Sequence, residues 1–291
     1  MSFRTVVISK RSKLDLKLNH MVVRSEETKK VLLDEISVLI IASTAVSLTS
    51  ALISELIKNK TKIIFCDEKH LPAGEVMPYY DKHNTSKIIK MQINWKEESK
   101  DVVWVEIVKE KIKNQAALLT KLKLYREADL LKSYIDEVEL KDKTNREGHA
   151  AKVYFNALFG MAFSRQNDNA INGMLNYGYA ILLSMVSREI TKNGYLTQLG
   201  IFHDNQFNAF NLASDIMEPL RPYIDRFVYI YNPEEFKSDD KQNLLAIFQE
   251  NVKVTGMQTR FENAVAIYVR SVLGAIEEGD IKLINFIDYE D

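Results

Sequence analysis

Alternation of apolar and polar positions governs the first part of the chain. Leu14, Leu16 and Leu18 fall on one side and Asp15 and Lys17 on the other, the period-two pattern of a strand with one buried face. The β-branched stretch 4–8 and the apolar runs 21–23 and 36–41 extend this pattern, and the polar breaks at 9–12 and 19–20 predict hairpin turns. A short helix is expected over 48–58, then an apolar strand over 62–66. Pro72, Gly74 and Pro78 are expected to end the strand-rich part.

Beyond about residue 84 the period changes to 3.6, and no proline occurs between Pro78 and Pro219. Helices are predicted at 86–94, 96–119, 124–135, 145–159, 171–192, 205–217, 219–231, 241–249 and 257–276. The 171–192 segment is apolar most of the way round and is expected at the centre of a bundle. The pattern predicts an α+β chain: a β-rich N-terminal domain over 1–80, a linker near 78–86 and an all-α domain over 81–291.

Composition narrows the class. With 46% apolar and 27% charged residues the chain is ordinary globular material, neither collagenous nor disordered. One cysteine, Cys66, allows no internal disulfide and suggests a reducing compartment. At the end of an apolar strand it reads as a buried thiol. The most apolar stretch, 38–57, is interrupted by serines, threonines and Glu55, so a cytoplasmic protein is expected. No glycine precedes Gly74, which excludes a glycine-rich phosphate loop in the N-terminal strands, and no Walker lysine loop, GxSxG elbow or CxxC occurs.

Three passages concentrate polar residues inside apolar text. In R-E-G-H-A-A-K-x-Y-F (146–155), Glu147, Ala151 and Tyr154 share one helical face, and the small residues allow close approach. In G-I-F-H-D (200–204), His203 precedes a predicted helix. In D-I-M-E-P-L-R-P (215–222), Asp215 and Glu218 lie three apart, and Pro219 restarts the helix so that Glu218 leaves the ordinary surface. Taken singly, each of these acids and the histidine reads as a solvated or capped side chain. Together, carboxylates with one imidazole suit Mg²⁺ or Mn²⁺, and Arg146, Lys152 and Arg221 could receive phosphate oxygens, as phosphodiester chemistry requires.

These passages, with D-N-A-I-N-G-M-L-N-Y-G-Y-A-I-L-L (168–183), resemble the CRISPR-associated integrase, the spacer-acquisition nuclease of CRISPR systems. The likeness covers essentially the whole chain, and its wording is nearest the type II-A branch. The resemblance implies that Glu147, His203 and Glu218 hold a metal with Asp215 in support; Glu218 replaces the aspartate of many members. It also implies a homodimer, its N-terminal domain serving dimerisation and DNA contact. A dimer of a small ferredoxin-like CRISPR-associated partner would be flanked by two such dimers. The DNA would be a short double-stranded prespacer, whose 3′-hydroxyl attacks at the leader-repeat boundary. Rival readings are a general nuclease on branched DNA and a non-catalytic scaffold. Asn172, Asn176 and Tyr177 read as packing and hydrogen-bonding residues of the helical core.

The net charge of −1 argues at first against a nucleic-acid protein, but the charge is segregated. Residues 1–30 carry eight Lys/Arg against three Asp/Glu, while 232–291 carry six against twelve. Lys10, Arg11 and Lys13 cluster in one turn, a candidate phosphate contact. The acidic end, through Asp291, is a candidate for repelling DNA or facing the partner.

Overall fold

The computed structural model describes residues 4–68, 72–76 and 84–288. The linker expected near 78–86 lies mostly outside these residues, as do Pro78 and the terminal Tyr289, Glu290 and Asp291. The chain divides into two compact units, Met1–His83 and Asn84–Asp291.

The first unit contains two four-stranded sheets and a helix. Its elements are β1 (Arg4–Ile8), β2 (Ser12–Lys17), β3 (His20–Arg24), β4 (Thr28–Leu32), β5 (Ile36–Ile41), β6 (Val46–Leu48), α1 (Ser50–Lys58), β7 (Lys62–Cys66) and β8 (Pro72–Glu75). One sheet runs β1-β5-β7-β8, parallel through β7 and antiparallel at β8; the other runs β4-β3-β2-β6. β5 is buried at all six positions, which is why its residues are apolar, Ser37 apart, rather than alternating. Leu14 and Met21 of one sheet meet Ile36, Leu39 and Ile63 of the other, and Leu52 and Leu56 of α1 join the same core. Pro72 does not end the strands as expected: it opens the last one, the position where a missing N–H is tolerated.

The second unit is a helical bundle with a small sheet. Its elements are α2 (Thr85–Ile93), α3 (Glu97–Lys121), α4 (Tyr125–Ile135), α5 (Arg146–Phe159), α6 (Ala170–Lys192), α7 (Asn211–Met217), α8 (Arg221–Tyr231), α9 (Ser238–Ile247), β9 (Asn251–Val254), β10 (Met257–Arg260), α10 (Phe261–Glu278) and β11 (Ile287–Asp288). α3 packs on α4, α5 and α10, and α6 on α7, α8 and α10. No described helix is long and apolar enough to cross a membrane.

Two sequence expectations fail here for local reasons. The stretch 205–210 is loop, not helix: the Asn205 Oδ1 accepts from the Phe207 N–H at 2.9 Å and the Asn208 Oδ1 from the Phe210 N–H at 2.9 Å, turns that compete with a helix ladder. The unit is also not all-α. Thr255 and Gly256, both at positive φ, close a hairpin, so 257–260 forms β10 rather than the start of α10, and β11 adds to the other edge of β9.

Candidate active site

Glu147 stands in the first turn of α5. The Asp142 carboxylate caps that turn, accepting from the Arg146 N–H at 2.8 Å and the Glu147 N–H at 3.0 Å. The Asn145 side chain packs over Gly148, whose missing Cβ leaves room for it.

His203 is held by Asp215. The fully buried Asp215 carboxylate accepts from the backbone N–H groups of Ile201 at 2.6 Å, Phe202 at 3.1 Å and His203 at 3.1 Å, and its Oδ1 lies 2.5 Å from the His203 Nδ1. One side chain in α7 thereby fixes both the loop and the imidazole, leaving Nε2 as the ring's other nitrogen. Gly200 permits the approach, since a Cβ would come within 2.8 Å of the Asp215 Oδ2. Phe202 stacks on the buried Trp104 of α3 at 4.6 Å, and His203 meets the same indole edge-on at 5.9 Å. The hydrogen bond to Asp215 raises the His203 pKa, burial opposes it, and the charges of Asp215, Glu218 and Glu147 raise it further.

Glu218 occupies the single tight turn between α7 and α8 that Pro219 enforces, and it is buried. The Asn114 amide of α3 donates to the Pro219 carbonyl at 3.0 Å and holds this turn. The Lys111 ammonium, also from α3, lies 2.6 Å from the Glu147 Oε1 and 2.5 Å from the Glu218 Oε2, so two carboxylates from distant helices converge on one cation. Arg221 pairs with the other oxygen of Glu218 at 2.8 Å. Burial alone would push the Glu218 carboxyl up, but Arg221 and Lys111 outweigh it and hold the group below its usual range. Burial likewise opposes the Lys111 charge, and Glu218 and Glu147 more than compensate.

The geometry modifies the sequence reading in one respect. Asp215 and Glu218, three apart in sequence, face different partners: Asp215 serves His203 and three backbone donors, and Glu218 faces Lys111 and Arg221. Among the described residues no three His, Cys, Asp or Glu side chains stand as a formed metal site. The cation between the acids is Lys111.

Residues 5–247 match the sequence profile described as CRISPR associated protein Cas1. The chain belongs to the Cas1 family. It is 36% identical over 260 residues to the CRISPR-associated endonuclease Cas1 of Neisseria meningitidis serogroup C (strain 8013), covering 87% of this chain and 86% of that one. Its fold matches a casposase bound to integration product, with TM-score 0.78 and 18% identity over 100% of this chain and 94% of that one. It also matches a chain of a Cas6-RT-Cas1–Cas2 complex, with TM-score 0.75 and 18% identity over 97% of this chain and 36% of that one. None of these names carries the type II-A branch.

The remaining sequence candidates separate. Arg146 is engaged, paired with Glu137 at 2.6 Å and lying over the Tyr134 ring, whereas Lys152 is exposed. In the first unit Lys10, Arg11 and Lys13 are exposed. Arg11 and Lys13 line an open groove of about 680 Å³ with Ser12, Arg24 and Ser47, and Arg24 is tied to Asp15 at 2.8 Å. Cys66 is buried.

Two residues beside the candidate site escaped the sequence reading. Lys111 left a signal, since it continues the buried stripe of Trp104, Val108, Gln115 and Leu118 along α3, where a lone charge is out of place. Asp225 left none. It is a buried hub that accepts from the Tyr154 hydroxyl at 3.0 Å and from the Tyr179 hydroxyl, while the Arg221 guanidinium lies 5.0 Å over the Tyr179 ring. Burial raises the Asp225 carboxyl to about 6 against the pull of both tyrosines and of Arg221.

This shift sets a pH dependence. The folded value lies above the unfolded one, so the contribution is fully present below about pH 4 and is lost as pH rises through about 6. Across that window wild type is expected to lose roughly 3 kcal/mol relative to Asp225→Asn, by the linkage relation. Urea unfolding of both proteins at about pH 3.5 and 7 measures it, and parallel pH profiles would refute it.

Proposed function

We propose that the chain is a metal-dependent DNA endonuclease and integrase of CRISPR adaptation, inserting short double-stranded prespacer DNA into the array by 3′-hydroxyl attack at the leader-repeat boundary. The observation that carries this reading is the convergence of Glu147 and Glu218 on one positive centre, with His203 close enough to feel both charges. The names of the relatives fit it: an endonuclease in Neisseria and a casposase with its integration product.

The donor set, two carboxylates and one imidazole nitrogen, fits a divalent cation, with Mn²⁺ favoured over Mg²⁺ by the imidazole. The Glu218 Oε2 and the Glu147 Oε1 both face the Lys111 ammonium, so a divalent cation would take over the place that this ammonium holds between the two acids. Glu147, His203 and Glu218 would hold the ion and Asp215 would orient the imidazole. When bound, the metal would polarise the phosphodiester and acidify the attacking hydroxyl. Arg221, about one-third exposed and anchored on Glu218, is placed to receive a phosphate oxygen. A bond forms between the prespacer 3′-oxygen and phosphorus. The bond to the 3′-oxygen of the leader strand breaks, and that oxygen leaves with a proton.

The assembly follows the same reading: a homodimer, two of which flank a dimer of a small ferredoxin-like partner, in keeping with the fold shared with a chain of a Cas1–Cas2 complex. Lys10, Arg11, Lys13 and Lys152 are its DNA-contact candidates. The test is a leader-repeat duplex incubated with an end-labelled prespacer, Mn²⁺ or Mg²⁺ and the partner. Label joined at the repeat boundary, and lost on chelation, is the expected result. Cleavage without joining would favour the general nuclease, and equal joining by Glu147→Ala would overturn the site.

A further inference from the structure

Both oxygens of Glu218 are taken by cations of the chain itself. Lys111 holds Oε2 at 2.5 Å and Arg221 holds Oε1 at 2.8 Å. Lys111 also holds the Glu147 Oε1 at 2.6 Å, so the two acids meet at its ammonium. The charges of these four side chains sum to zero. A divalent ion placed beside the ammonium would meet a like charge with little water to screen it. For one ion to reach both acids, Lys111 has to leave. Arg221 does not clear that place, because it touches Glu218 at the other oxygen and rests over the Tyr179 ring at 5.0 Å. The lysine stem, with four rotatable carbons, is also the more mobile of the two.

The same helix holds a destination for the ammonium. Gln115 follows Lys111 by four residues on α3 and continues its buried stripe, so the two side chains are neighbours on one face. Gln115 is 2% exposed, and its Oε1 is buried with no hydrogen-bond partner among the described residues. A buried carbonyl without a donor is costly and uncommon. Its neighbour Asn114 shows the ordinary case, donating to the Pro219 carbonyl at 3.0 Å. An ammonium has three hydrogens to donate and no acceptor, and four residues of helix advance only about 6 Å.

Resting on the reading that Glu147, His203 and Glu218 hold a divalent ion, we infer that Lys111 is a counter-ion with two positions. Without metal its ammonium lies between the acids and keeps them paired. When the ion enters, the ammonium withdraws along α3 onto the Gln115 Oε1. Gln115 is then a positioning residue that acts on the metal through Lys111. The exchange makes metal and lysine competitors, so affinity falls below what the donor set alone would give. It also frees the fold from dependence on metal, since the two acids are never left facing each other.

The test titrates Mn²⁺ into the full chain without DNA, counting free ion by electron paramagnetic resonance, and follows thermal unfolding in chelator. Lys111→Met keeps the stem and removes the charge. It is expected to bind Mn²⁺ about tenfold more tightly and to unfold below wild type in chelator. Gln115→Leu is expected to bind about tenfold more weakly, because the displaced ammonium finds no acceptor. In chelator it should unfold at or above the wild-type temperature, since it removes an unsatisfied carbonyl, whereas loss of a merely structural glutamine would lower it. In a Lys111→Met background Gln115→Leu should change Mn²⁺ affinity by less than about twofold. Unchanged or weaker binding by Lys111→Met would overturn the inference, as would an equal effect of Gln115→Leu in both backgrounds. Should Lys111→Met fail to fold, Gln115→Leu decides alone, and wild-type affinity in it overturns the inference. If Glu147→Ala takes up as much Mn²⁺ as wild type, the reading of the metal site fails and this inference with it. If it takes up less while Lys111→Met and Gln115→Leu bind like wild type, only the role of Lys111 fails.

Discussion

Glu218→Ala is expected to eliminate strand transfer and to destabilise the second unit by about 3–5 kcal/mol, the cost of removing one partner from a buried ion cluster. The carboxylate is 4% exposed and carries contacts from two cations, Lys111 at 2.5 Å and Arg221 at 2.8 Å. Removing it leaves the buried Lys111 with Glu147 alone and the one-third-exposed Arg221 with no ion-pair partner among the described residues. Glu218→Gln keeps the shape but not the charge, so it should recover most of the packing and none of the joining. Thermal unfolding and prespacer joining, measured on both variants, separate the two roles. A Glu218→Ala protein that unfolds and joins as wild type does would refute the cluster.

His203→Ala is expected to give the opposite profile: a loss of strand transfer of at least roughly 10²- to 10³-fold, the scale of removing one strong electrostatic contributor, with stability changed by less than about 1 kcal/mol. The stability term is small because the imidazole is 40% exposed and the Asp215 carboxylate keeps its three backbone donors without it. Retained joining by His203→Ala in Mn²⁺ would sink the assignment. Asp215→Asn should fall between these two, because it loosens the loop and the ring together.

The helices of the second unit were legible because their apolar periods are long. The expected 124–135, 145–159 and 171–192 differ from α4, α5 and α6 by one residue at an end. Where side chains compete with the backbone, legibility failed: the Asn-rich 205–210 became turns, and the Thr255 and Gly256 turn made a hairpin that periodicity alone could not separate from the following helix. β8 was missed because proline reads as a stop, and only pairing with β7 makes its position acceptable.

The candidate site divides along the same line. The acids and the histidine drew attention as polar passages in apolar helical text, but their role as one set came only from the resemblance to a family, and the proline after Glu218 announced a turn. The sequence by itself determined two units of different class, the helix that carries Glu147, and the segregation of positive charge toward the N-terminus. Only the tertiary structure decided that Lys111, 36 residues before Glu147, stands between the two glutamates, that Asp215 serves His203, and that Asn172 and Asn176 hold Arg165. The physical reason is that periodicity reports which face of an element is buried, whereas a buried charge takes its partner from whichever element packs against it.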